Sequence, residues 1–98
     1  MAAYLIASIT VTEPEGYARY RAGAAAVVAR HGGRYLVRGG TIHPQEGDLG
    51  FDRVVVVAFA TMAAARAFYD SAEYAPWLKL RRETTESRLA FVEGFDAA

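Results

Sequence analysis

The stretch YLIASITVTEPEGYARYRAGAAAVVARHGG, residues 4–33, decides the fold because a strand signal runs directly into a helix signal. Residues 4–11 are β-favouring side chains that alternate between two sets, as they do along a strand. The uniformly apolar set is expected to face the helices: Leu5, Ala7, Ile9 and Val11. The other set mixes hydroxyl groups with apolar side chains, which suits a partly wet cleft or an interface: Tyr4, Ile6, Ser8 and Thr10.

The helix that follows has a defined start, an apolar stripe and a defined end. Thr12 and Glu15 stand at capping-box spacing, and Pro14 suits the first helical turn. Gly32 is placed where a left-handed residue ends a helix, so we expect the helix to finish near His31. The stripe recurs at spacings of three, four and seven residues: Tyr17, Tyr20, Ala24, Val27 and Val28.

The middle of the chain predicts two more strands. Residues 34–38 (RYLVR) form one strand, closed by Gly39-Gly40, and residues 41–52 are a long connection or a hairpin tip. Residues 53–59 (RVVVVAF) form the other strand. Four consecutive valines are typical of a strand that is buried on both faces.

The last third of the chain predicts two helical segments and a fourth strand. Thr61 can cap the first segment, and a break near Ser71 precedes a second helix over about residues 73–85. Residues 88–94 (RLAFVEG) predict the strand. This order is typical of a ferredoxin-like βαββαβ domain of the α+β class. We therefore expect residues 1–98 to form a single domain, a four-stranded antiparallel sheet with its helices on one face.

The sheet face without helices, called the open face below, predicts a homodimer. The side chains expected on it are mostly apolar: Tyr4, Ile6, Ser8, Leu36, Val55, Val57, Ala90 and Val92. The chain as a whole is 53% apolar, slightly more than the ~45–50% usual for soluble domains. An apolar face of this kind needs a cover. Two copies packed face to face would supply it, as a dimeric α+β barrel.

Composition and missing motifs exclude several function classes. Eleven basic and eleven acidic residues give no net charge, so nothing favours nucleic acid or an anionic membrane. The chain has no cysteine, no metal-ligand spacing and no nucleotide-binding glycine motif, which predicts no metal and no cofactor. The third strand also carries aliphatic residues where an RNA-recognition motif has exposed rings. The longest apolar run, residues 54–60, is too short to span a membrane. Because no leader is evident, we expect a cytoplasmic location.

Arg38 is the first candidate for ligand contact. It precedes Gly39, where the lack of a side chain allows other groups to approach the backbone closely. At the mouth of an apolar cleft its guanidinium could bind a carboxylate or enolate. The alternative is an exposed arginine at a strand end, paired with Glu46 or Asp48.

The second group of candidates lies around the predicted last helix. Tyr74, Trp77 and Arg81 stand at spacings of three and four, so they share one helix face and could wall a pocket for a planar ligand. Core packing of an amphipathic helix gives the same pattern. Ser71 lies near the helix break, where backbone amides can bind anions. His43, in the long connection, is a candidate general base or simply a solvated histidine.

Four segments of the chain resemble the domain of unknown function (DUF) 1330 family. They are ITVTEPEGYARY, HGGRYLVRGG, VVVVAF and SAEYAPWLKLRRETTESRL, which are spread over residues 9–89. The resemblance implies a dimeric α+β barrel of the ferredoxin-like superfamily. That superfamily includes cofactor-free quinone-forming monooxygenases, muconolactone isomerases, haem-binding chlorite dismutases and stress-responsive barrel proteins. The family itself has no established activity, so the resemblance implies a fold and no reaction.

Two functions follow as hypotheses. In the first, each subunit binds a small anionic or aromatic molecule, with turnover by a cofactor-free monooxygenase- or isomerase-like enzyme as an extension. Arg38 and Arg81 would then orient the substrate while His43 or Tyr74 moves a proton. In the second, the protein is a dimeric binding or assembly protein without catalysis. A pocket where Arg38 meets the Tyr74 segment would favour the first hypothesis.

Overall fold

Four antiparallel strands form one sheet in the order β2-β3-β1-β4. The structure, a computed structural model, describes residues 1–95. Its elements are β1 (Ala3–Val11), α1 (Pro14–Arg30), β2 (Arg34–Arg38), β3 (Arg53–Phe59), α2 (Met62–Tyr69), α3 (Ala75–Thr84) and β4 (Thr85–Glu93). The predicted ferredoxin-like α+β fold is confirmed, with the second helical region divided into two helices.

The core lies between the helices and one face of the sheet. Leu5 of β1 stands opposite Val57 of β3 and Phe91 of β4, and residues directly opposite each other in antiparallel strands share a face. That face, called the helix face below, packs on the apolar stripe of α1. The largest fully buried side chains are Tyr74, Phe59, Phe68, Ile9, Val27 and Val57. The predicted division of β1 into an inner and an outer set is thereby confirmed.

The predicted faces of β3 are wrong. Val57 is 2% exposed and belongs to the core, and Val55 shares its face because it pairs with Ala7. Val54 and Val56 lie instead on the open face, where they are only half-buried. The valines are therefore not buried on both faces within this chain. The side chains of the open face include Tyr4, Ile6, Ser8, Val54, Val56, Ala90 and Val92.

An irregularity in β2 changes which of its side chains share a face. The pairing with β3 shifts between Tyr35 and Val37, so one residue is left out of register. As a result Arg34 lies opposite Ala58 on the open face, whereas Arg38 lies opposite Val55 on the helix face. Simple alternation along β2 would place these two arginines on the same face, so the irregularity is what separates them.

The start of α1 differs from the predicted capping box. Glu13 is the N-cap residue, and no side chain caps the helix there. The backbone amides of Thr12 and Glu13 instead donate to the carbonyl oxygen of Thr84, at 2.9 and 3.1 Å. The end of α3 thus satisfies the Thr12 amide, which Glu15 would have satisfied in a capping box, and it ties the beginning of α1 to the last helix. Pro14 occupies the first turn as predicted.

The boundaries of the last elements follow from hydroxyl caps. The Thr61 side chain accepts a hydrogen bond from the Ala64 amide at 3.1 Å, which confirms the predicted cap of α2. Ser71 confirms the break: its Oγ donates to the Phe68 carbonyl at 2.8 Å and accepts from the Tyr74 amide at 3.1 Å. β4 begins at Thr85, three residues earlier than predicted, directly after α3.

Within residues 1–95, no helix combines the length and the apolar character that a membrane span requires.

Candidate functional site

A small cavity lies between α1, the start of α3 and the helix face of the sheet. The space open to the centres of water molecules in this cavity is ≈ 30 Å³. This is enough for about two waters. The floor is apolar and comes from the strands, including Ala7, Ile9 and Leu89. The polar groups come mainly from the helices and from β2: Tyr17, Tyr20, Arg21, Tyr35, Tyr74 and Arg81.

Two phenols meet at this cavity. The hydroxyl oxygens of Tyr20 and Tyr74 lie 2.7 Å apart, within hydrogen-bond distance. Tyr20 belongs to the apolar stripe of α1, and Tyr74 is the residue at which α3 begins, fixed by the Ser71 cap. Burial, and next the neighbouring Tyr74, raise the pKa of Tyr20 far above its usual value. Tyr20 therefore keeps its proton at any ordinary pH and can donate a hydrogen bond.

Arg81 supplies a buried positive charge to the same cavity. It lies in the last turn of α3 and is 4% exposed. Its Nη1 donates to the Ser87 hydroxyl on β4, while its buried Nε has no hydrogen-bond partner within residues 1–95. In the same range no carboxylate forms an ion pair with it. Burial opposes the charged form, but the adjacent Tyr74 phenol outweighs burial and the pKa of Arg81 is raised. The cavity thus holds a permanent cation, and no carboxylate is among its lining residues within residues 1–95.

The outer end of the cavity lies between α1 and the edge strand β2. Tyr35 lines this end, and the Arg38 guanidinium lies over its ring, 4.6 Å from the centroid. Arg38 Nη2 also donates to the Arg21 carbonyl of α1 at 2.8 Å. Burial raises the pKa of Tyr35, although the charge of Arg38 acts in the opposite direction. Arg38 is exposed and bridges the gap between helix and strand.

The structure brings together only some of the predicted site residues. Tyr74 and Arg81 both line the cavity, and Arg38 lies at its outer end. Ser71 acts on the cavity indirectly, as the cap that sets the position of Tyr74. The roles proposed for these residues stay predictions.

Three other predicted residues lie away from the cavity. The Trp77 ring packs against Gly23 of α1, where a side chain on the glycine would overlap it. Gly39 lies against the Arg53 guanidinium on β3. His43 is exposed in the connection between β2 and β3 and lines none of the cavity.

Sequence reasoning missed Tyr20, Tyr35 and Ser87 as members of the site. Tyr20 was assigned to the core stripe of α1, and its hydroxyl is the signal that could have separated it from Val27. A buried tyrosine hydroxyl needs a partner, whereas valine needs none. Ser87 carries no local signal, because only the turn from α3 into β4 brings it to Arg81.

A wider groove lies on the open face and is a weaker candidate. Its volume is ≈ 640 Å³, and Ser8, Thr10, Arg82 and Arg88 are among its lining residues. It is shallow and belongs to the face that we expect a second copy of the chain to cover. It also has no buried unpartnered charge, in contrast to the cavity.

Solved structures with the same fold come from proteins of different descriptions. A protein of unknown function from Rhodopseudomonas palustris has a TM-score of 0.77 at 18% identity, with 97% of this chain and 83% of that chain covered. A cofactor-independent oxygenase from Streptomyces nogalater has a TM-score of 0.65 at 17% identity, with 98% and 95% covered. A dimeric ferredoxin-like protein of unknown function from Jannaschia sp. CCS1 has a TM-score of 0.70 at 10% identity, with 96% and 100% covered. At these identities the likeness establishes the fold alone.

Comparison with curated proteins finds no match in sequence. A family model does match, and it covers residues 2–95. Its description is a domain of unknown function, in agreement with the resemblance noted above. The chain therefore belongs to the DUF1330 family.

Proposed function

We propose that this protein binds a small anionic molecule with an apolar or aromatic body in the cavity between the sheet and the helices. The observation that carries the proposal is Arg81, which is 4% exposed, has an unpartnered Nε and forms no ion pair within residues 1–95. A buried charge without a counter-charge is costly. A ligand that brings a negative charge would remove this cost.

The rest of the cavity supports the same class of ligand. Tyr20 and Tyr74 present hydroxyl groups beside the guanidinium, and the strands supply an apolar floor. Ligand sites commonly combine such a floor with a few polar groups that fix orientation. An anion would lie against Arg81 while its apolar body contacts the floor.

Entry of a ring-sized ligand requires side chains to part. The closed cavity holds only about two waters by the volume given above. Its outer end is bridged by Arg38, an exposed side chain whose hydrogen bond to Arg21 crosses the gap between β2 and α1. Displacement of Arg38 from the Arg21 carbonyl and from the Tyr35 ring would open a path to the interior.

Turnover without a cofactor, of a monooxygenase- or isomerase-like kind, is the extension of this proposal. In this extension Tyr74 would exchange a proton with an enolisable ligand, and Arg81 would stabilise the negative charge that develops. The oxygenase from Streptomyces nogalater is described as cofactor-independent, so the same fold supports such chemistry in that protein. His43 would take part only if the connection that carries it moved.

We also propose that the protein is a homodimer through its open face. Ile6, Val37 and Val92 are large apolar residues that are 38%, 37% and 45% exposed on this face. The neighbour from Jannaschia is described as dimeric. A non-catalytic dimeric binding or assembly protein is the alternative. The cytoplasmic location and the extent of one domain over residues 1–98 stay predictions.

Binding of benzoate tests the proposal. We expect millimolar benzoate to raise the melting temperature of the native protein and to leave that of Arg81→Met unchanged, since methionine keeps the apolar stem without the charge. Arg66→Met on the exposed side of α2 is the matched control and should respond like the native protein. If neither benzoate nor larger aromatic anions raise the melting temperature of the native protein, the binding proposal is wrong and the assembly alternative stands.

A further inference from the structure

A closed set of hydroxyl groups fixes the orientation of the Arg81 guanidinium. Arg81 Nη1 donates to Ser87 Oγ, and Ser87 Oγ lies 3.2 Å from Thr85 Oγ1. Thr85 Oγ1 in turn donates to the backbone carbonyl of Arg81 at 2.6 Å. With the Ser87 proton directed to Thr85, each hydroxyl donates once and accepts once. The side chain of Arg81 is thus linked back to its own backbone.

This arrangement holds the guanidinium without neutralising it. Ser87 and Thr85 are uncharged, whereas a carboxylate in the same place would cancel most of the positive charge. Within residues 1–95, Nη1 donates to Ser87, and the buried Nε has no hydrogen-bond partner. Nε and Nη2 form the other edge of the guanidinium, beside Tyr74, and on this edge two N–H groups point in the same direction.

We propose that the anionic group of the ligand is a carboxylate, bound through both oxygens by the Nε and Nη2 edge of Arg81. Two parallel N–H groups match two carboxylate oxygens, whereas a phenolate or an enolate offers one oxygen. Ser87 and Thr85 are positioning residues in this arrangement, because they act on the ligand only through Arg81. The inference rests on the proposed function and names the chemical class of its ligand.

Two probes of similar size and equal charge separate a carboxylate site from a general anion site. Benzoate and 4-cyanophenolate each have one ring and one negative charge at a pH where both are ionised, and the phenolate has a single oxygen. We measure the affinity of each probe for the native protein and for Arg81→Lys, which keeps the charge and loses the paired donors. We expect benzoate binding to weaken at least about tenfold in this variant, or about 1.4 kcal/mol. Binding of 4-cyanophenolate should stay within about threefold.

A second pair of variants covers the case in which Arg81→Lys does not fold. Ser87→Ala releases Nη1 while the charge stays in place, so benzoate binding should weaken more than 4-cyanophenolate binding. Ser87→Thr keeps the hydroxyl and should restore the native preference for benzoate over the phenolate. If Ser87 only supported the fold, the two substitutions would not change this preference.

The outcomes distinguish this inference from the proposed function. If both probes bind the native protein and weaken equally in the variants, Arg81 acts only as a charge, and the carboxylate inference is wrong while the binding proposal stands. The inference is equally wrong if the native protein prefers 4-cyanophenolate. If neither probe binds, both the inference and the proposed function are overturned.

Discussion

The Tyr20 hydroxyl of α1 lies 2.7 Å from the Tyr74 hydroxyl at the start of α3, although 54 residues separate the two in sequence. This pair joins two helices over the cavity that Arg81 lines. A hydrogen bond between two phenols in a partly buried place gives each hydroxyl a partner within the protein. It also keeps both rings beside the guanidinium, so the same contact serves the packing of α1 and the polarity of the site.

The stability of the protein is expected to fall at alkaline pH because of Tyr20. Burial raises the pKa of this phenol, so the folded state keeps a proton that the unfolded chain loses above pH of about 10. Below that pH, Tyr20 is neutral in both states and contributes no pH dependence. Above it, the unfolded state binds fewer protons and the free energy of unfolding decreases. Urea unfolding from neutral pH to about pH 11 should show this decline, and Tyr20→Phe should make it shallower.

Tyr35 is also buried with a raised pKa, so part of the decline should persist in Tyr20→Phe. Tyr4→Phe, a change on the open face, serves as the control and should keep the native slope. Equal slopes for the native protein and Tyr20→Phe would contradict the assignment of the effect to Tyr20.

Gly23→Ala is expected to destabilise the protein although alanine is the better helix former. The new methyl group would overlap the ring of Trp77, which packs on this position of α1. Overpacking typically costs about 1–3 kcal/mol, more than the roughly 1 kcal/mol that alanine gains over glycine in a helix. Trp77 is the only tryptophan, so its fluorescence should report the displacement directly.

Gly40→Ala is the matched control for that substitution. Gly40 has open space around it, and its φ is not positive, so the same added methyl group meets nothing. We expect its melting temperature to equal or slightly exceed that of the native protein. A Gly23→Ala variant as stable as Gly40→Ala would show that Trp77 does not pack as described.

Substitution by aspartate is expected to have different effects at two neighbouring valines of β3. Val57→Asp would place a carboxylate among core side chains and should unfold the protein, at a cost of several kcal/mol. Val56→Asp changes the open face, so the monomer should keep its fold and lose the ability to dimerise. Circular dichroism and sedimentation equilibrium separate the two effects. A Val56→Asp variant that is still a dimer would overturn dimerisation through this face.

Arg38→Leu is expected to change binding more than stability. Its guanidinium is exposed, and its hydrogen bond to Arg21 contributes about 0–1 kcal/mol. Loss of one positive charge at the outer end of the cavity should weaken benzoate binding by about two- to threefold at low salt, and the difference should fade at high salt. Titrations at two ionic strengths measure this. A complete loss of binding at both would instead place Arg38 in direct contact with the ligand.

Much of the fold could be predicted because its signals are local. The alternation of Leu5, Ala7 and Ile9 determined which face of β1 meets the helices. Gly32 ended α1 with a φ of 76°, a conformation that favours glycine. The hydroxyls of Thr61 and Ser71 capped helices within three residues of themselves.

The sequence by itself therefore determined the elements and their order, because helix and strand periodicities and hydroxyl caps are contacts between near neighbours. It could not orient Val54–Val57, since a run of identical residues has no alternation and a shift of one residue reverses every side chain. Only the pairing of β3 with β1 decided which of these valines face the helices. The tertiary structure alone also decided that Tyr20, Tyr74, Arg81 and Ser87 share one cavity. Their contacts depend on how α1, α3 and β4 pack, and no local pattern encodes that distance.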